Sequence, residues 1–104
     1  TDVSLNPGTE AEEIFFSVLT SLIGSLRNTV VWVENMNKYE DGPAYRNAEC
    51  AVTKLVTKQT TVEMIKQKMT SKNKEAVDRL FSMVQSFIEL LMEFYNKVKE
   101  KYTV

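Results

Sequence analysis

Residues 77–98 read VDRLFSMVQSFIELLMEFYNKV, and this stretch decides the fold. Val77, Leu80, Val84, Phe87, Leu91, Phe94 and Val98 recur at alternating intervals of three and four. An α-helix turns about every 3.6 residues, so these positions share one face. Phe81, Ile88, Tyr95 and Tyr102 flank the row and widen the apolar arc to about half the helical wheel or more. The far face carries Glu75, Asp78, Ser82, Glu89, Glu93 and Glu100. Glu75–Arg79 and Glu93–Lys97 stand four apart, the spacing at which opposite charges meet on a helix. Asn73 is the candidate cap, and the helix is predicted over about 73–102.

Working towards the N-terminus, Thr70-Ser71-Lys72-Asn73 and Glu40-Asp41-Gly42-Pro43 interrupt the pattern and read as connections. Between them Tyr45, Ala48, Val52, Leu55, Gln59 and Val62 form one stripe, predicting a helix over about 43–70. Asp41 or Gly42 is its cap, with Pro43 in the first turn. Thr57-Lys58-Gln59-Thr60-Thr61 is poor helix material. Beyond it the apolar direction turns to Val62, Ile65 and Met69, and Thr60 with Glu63 resembles a fresh capping box. A bend or break is expected near 58–61.

The first helix is predicted over about 9–39. Thr9 and Glu12 form a capping box, and Glu10, Glu12 and Glu13 suit the positive end of the helix dipole. Phe15, Val18, Leu19, Leu22, Ile23, Leu26, Val30 and Val33 follow at helical spacing. Residues 1–8 hold Asn6-Pro7-Gly8 and read as an irregular arm. No segment alternates with period two for long, so strands are not expected. The reading is an all-α, elongated, antiparallel three-helix bundle (up–down–up), one domain over 9–104.

Composition narrows function mainly by exclusion. The 104 residues contain no histidine and one cysteine, Cys50. The commonest general base and the commonest zinc ligand are therefore missing, as is a Cys–His pair. The three glycines are isolated, so no Gly-rich loop cradles phosphate. Glu12–Glu13 and Glu40–Asp41 sit at helix ends, and Glu89 and Glu93 lie on a polar face, so capping and solvation explain them. The expectation is a protein without catalytic residues, metal site or cofactor.

Net charge is −1, but it is uneven: residues 1–41 carry seven acids against two bases, and the rest seven acids against eleven bases. The Lys-rich stretch from Lys54 to Lys74 lacks arginine and interleaved aromatics, which argues against nucleic acid as a partner. The uncharged run Ile14–Leu26 spans 13 residues, short of the roughly 20 that cross a membrane, so no transmembrane segment is expected. The chain begins at Thr1, read as a mature processed form or an excised domain. The expected location is extracellular, with a cytoplasmic one as the alternative.

Two surfaces are candidates for binding. In the first helix Ser17, Ser21, Gly24 and Asn28 share one strip, with Val31 and Trp32 at its far end. A solvated face usually carries Lys and Glu, so a strip of small neutral residues suggests cover by a neighbouring helix or by another chain. The second candidate is the interior. Phe15, Phe16, Phe81, Phe87 and Phe94 are accompanied by Met36, Met64, Met69, Met83 and Met92, and methionine adapts its shape to varied apolar partners.

The apolar arc of the third helix also exceeds what two neighbours need. A hydrophobic small molecule or lipid between the helices is therefore the first functional reading, with Phe15, Leu22, Met83, Phe87, Leu91 and Phe94 lining its site. The second is a homodimeric interaction module using the uncharged face of the first helix. Cys50 falls beside Arg46, Thr53, Lys54 and Thr57 and is a candidate for an intermolecular disulfide.

Overall fold

The computed structural model describes residues 10–39, 42–69 and 74–102. They form three helices: α1 (Glu10–Tyr39), α2 (Gly42–Gln67) and α3 (Lys74–Lys99), closed by a 3-10 turn over Glu100–Tyr102. No strand occurs among the described residues. The molecule is a rod, 56 × 22 × 16 Å along its principal axes. Thirty residues of α1 account for about 45 Å of that length. The bundle is all-α and runs up–down–up, as the apolar periodicity implies. Thr9, Asp41 and Asn73, the expected caps, and residues 1–8 lie outside the described residues.

The core is one continuous cluster. Phe15, Leu19, Leu22, Val33 and Met36 from α1 meet Ala44, Ala48, Val52, Leu55 and Val62 from α2, and α3 closes over both. Small residues let α1 and α2 approach closely. Thr29 is fully buried at their contact. Its hydroxyl donates to the Ser25 carbonyl at 2.7 Å, with the Ala51 carbonyl of α2 3.3 Å away. A buried hydroxyl with such partners escapes the cost of an unmet hydrogen bond.

One end of the rod is pinned by tyrosines. Tyr102 donates its hydroxyl to the Met36 carbonyl, and its ring stacks on Tyr45 with centroids 4.9 Å apart. Tyr95 is buried nearby, its hydroxyl pushed up to about 12 by burial first, and then by Tyr45 and Glu49.

The structure corrects the expected break in α2 and its expected end. The helix runs unbroken through Thr57–Thr61. Thr57, Thr60 and Thr61 each donate their hydroxyl to the carbonyl four residues back, at 3.0–3.1 Å. Threonine that bonds its own helix in this way is accommodated without ending it. The helix then stops at Gln67, three residues before the expected end. A tightened turn follows, in which the Lys68 and Met69 amides bond the Ile65 and Lys66 carbonyls.

α3 is rotated relative to the sequence expectation. Its buried row is Val77, Phe81, Val84, Ile88, Leu91, Tyr95 and Val98. Of the expected inner residues, Phe87 and Phe94 are exposed and Leu80 is half-buried. Phe81, Ile88 and Tyr95, expected on the flank, face the core instead. Ile23, Phe16 and Met64 are likewise exposed.

Candidate functional site

The rotation of α3 creates the most unusual surface of the molecule. Met83, Phe87, Leu90 and Phe94 follow one another at intervals of four, three and four, and so form one row along the helix. They are 60%, 59%, 61% and 40% exposed. α3 therefore carries two adjacent apolar rows: one buried against α1 and α2, the other facing outward. Isolated exposed apolar residues are ordinary, but a contiguous row of four large ones is not.

Two sets of contacts fix the orientation of this row. Lys101 Nζ donates to Asn37 Oδ1 at 2.9 Å, and a shallow cleft there is lined by Asn37, Phe94, Lys97, Val98 and Lys101. The Phe94 flank of α3 thus borders α1. Lys66 of α2 lies 3.3 Å from Asp78 and 4.9 Å from the centroid of the Phe81 ring, so the opposite flank borders α2.

On α1, Thr29 against Ala51 and Ser21 against Lys58 mark the side towards α2. At about 100° per residue, Phe16 and Ile23 fall on the other side, past Asn37. Both are exposed. They stand on the flank of α1 that borders α3, on the same side as the outward row. A second open cleft, lined by Leu90, Glu93, Phe94, Asn96, Lys97 and Glu100, lies on the far side of Phe94.

The expected interior site divides in two. Phe15, Leu22 and Leu91 are buried in the common core. Met83, Phe87 and Phe94 lie outside and do not join them between the helices. The correction has a simple cause. Periodicity reveals a wide apolar arc but not which edge of it faces the neighbours.

The strip on α1 is not covered by α2 or α3, the first of the two covers that its composition suggested. Ser17, Ser21, Gly24, Asn28 and Val31 are exposed, and Trp32 is half-buried against the core. Ser21 accepts a hydrogen bond from Lys58 Nζ at 2.7 Å, which ties the strip's edge to α2. A Cβ added at Gly24 would meet nothing within 4 Å, so among the described residues no other helix approaches there.

Cys50 is exposed in an open depression with Arg46, Glu49, Thr53 and Lys54. Among the described residues, no three Asp, Glu, Cys or His side chains gather so as to hold a metal ion.

By length and composition alone, Glu12–Tyr39 of α1 is long and apolar enough to cross a membrane, its most apolar 18-residue window having a mean hydropathy of 1.5. The 13-residue count above stopped at Arg27, a single charge within a longer apolar segment. Only 22% of the apolar window is buried in the chain, in keeping with the uncovered strip on α1. The core helix of a soluble bundle passes the same test. Comparison with protein-family models, curated proteins and solved structures finds no match to this chain.

Proposed function

We propose that this protein works by binding, as a helical module that receives another α-helix on the apolar face shared by α3 and α1. The observation that carries the reading is the outward row Met83, Phe87, Leu90 and Phe94. Its 4-3-4 spacing is that of a coiled-coil seam, in which each side chain inserts between residues of a facing helix. Burying such a row favours association, at roughly 25 cal/mol per Å² of apolar surface removed from water.

A second reading keeps an apolar small molecule as the ligand, held on the surface rather than between the helices. The two open clefts flanking Phe94 favour it. The Ser17–Val31 strip supports a chain contact less strongly, because its small polar side chains offer little apolar area.

Photo-crosslinking in the fluid or cells that make the protein tests the reading. A benzoylphenylalanine replacing Phe87 should join a single polypeptide, through partner residues spaced three and four apart on a helix. The same probe replacing Met64, exposed on α2, should give no such adduct. Adducts to lipid alone would support the second reading. No adduct at position 87, or equal adducts at both positions, would contradict both.

A further inference from the structure

We propose that the partner helix is the α3 of a second copy of this chain, packed antiparallel across a two-fold axis. The inference rests on the binding reading above and names its occupant. A two-fold contact must be self-complementary, because each patch meets its own copy. The row satisfies this when the axis passes between Ile88 and Glu89. Met83 then stands opposite Phe94 of the second copy, and Phe87 opposite Leu90, so a ring meets an unbranched or aliphatic side chain at each level. Parallel pairing would instead set Phe87 on Phe87 and Phe94 on Phe94.

Charge permits this pairing at the centre. The row from Met83 to Leu90 is uncharged, its rim there is Ser86, and Glu89 points to the far side of the helix. Like charges do not meet near the axis. Towards the ends, Arg79 comes level with Lys97 of the second copy. Arg79 is already paired with Glu75 at 3.2 Å, and Lys97 has Glu93 one turn away, so the approach is local and open to solvent.

The area also fits. Half-exposed side chains of this size offer on the order of 100 Å² each. The four residues of the row with Phe16 and Ile23 of α1 together offer about 600 Å² per partner, the lower end of the roughly 600–1,000 Å² per partner of a standard stable interface.

Sedimentation equilibrium from sub-micromolar to several hundred micromolar protein reads the result. The wild type should pass from monomer to dimer. Phe87→Glu and Leu90→Glu should each weaken the dimer by roughly 100-fold or more, because they bury an unpaired charge. Both positions are exposed in the monomer, so helicity and Tm at low concentration should be unchanged. Met64→Glu should leave the dimer intact.

Disulfide formation in a Cys50→Ser background reads the orientation. Phe87→Cys mixed with Leu90→Cys should cross-link. Met83→Cys alone should not, because antiparallel packing holds its two copies about 16 Å apart along the helix. A chain that stays monomeric throughout, or a dimer indifferent to Phe87→Glu, would overturn the self-pairing. Efficient Met83→Cys self-cross-linking would overturn its antiparallel sense. If position 87 cross-links to a different polypeptide, self-pairing fails while the binding reading stands. If it cross-links to no polypeptide, both fail.

Discussion

Phe81→Ala is expected to destabilise the monomer by about 3–5 kcal/mol, whereas Phe87→Ala, less than two turns away on the same helix, should cost below about 1 kcal/mol. Phe81 is fully buried, and Lys66 of α2 lies over its ring. Truncation there removes a large apolar surface from the core and leaves a cavity that long, packed helices cannot collapse to fill. Phe87 faces water, so its loss empties nothing within the chain. Urea unfolding at sub-micromolar protein, where association does not contribute, provides the comparison. Equal losses, or a larger loss at Phe87, would mean that α3 is turned the other way.

The second large effect is expected at alkaline pH. Tyr95 is buried, and its hydroxyl is pushed from 10.0 up to about 12. Burial is the main cause; Tyr45 and Glu49 add unfavourable charge proximity, and a side-chain hydrogen bond with Tyr45 favours the neutral form. The unfolded chain ionises this tyrosine near pH 10, while the native chain holds the proton to about pH 12. Below the unfolded value the contribution is fully present. Between the two values the native state binds more protons, so stability falls as pH rises. At about 1.4 kcal/mol per unit, on the order of 2–3 kcal/mol is lost across the window. Unfolding free energies at pH 9, 10 and 11 should therefore decline more steeply for the wild type than for Tyr95→Phe. Parallel declines would contradict the buried position of the hydroxyl.

The three helices and their antiparallel order were legible because the apolar spacing is strong in each and polar breaks separate them. The excess of apolar surface on α3 was legible too, from an arc spanning half the wheel. Which row faces inward was not. Leu80, Phe87 and Phe94 are more apolar by composition than Phe81, Ile88 and Tyr95, because the latter row includes a phenol. Its hydroxyl finds Tyr45, a partner brought from α2 by the fold, so its burial leaves no unmet donor.

The same substitution of partner for hydrophobicity operates on α1. Thr29 sits where α1 meets α2, and its hydroxyl bonds the Ser25 carbonyl with the Ala51 carbonyl close by, so its burial leaves no unmet donor, while Ile23 is left outside. In α2 the Thr-rich stretch 57–61 stays helical, its three threonine hydroxyls satisfied by carbonyls of their own helix. In each case the fold supplies a hydrogen-bond partner that no sequence pattern shows. The uncharged strip on α1 was found from its composition, since the lack of Lys and Glu is visible residue by residue.

The central claim is that one apolar row of α3 builds the bundle and the other is covered by a second chain. Peroxide oxidation of methionine, followed by mass spectrometry across a dilution series, tests it most directly. Met36 and Met69 are buried, and Met64 is exposed on α2, away from the row. At sub-micromolar protein, Met83 should oxidise about as fast as Met64. At several hundred micromolar it should become protected while Met64 stays reactive. Met83 as slow as Met36 at every dilution would contradict the outward row, and Met83 as fast as Met64 at every concentration would contradict its pairing.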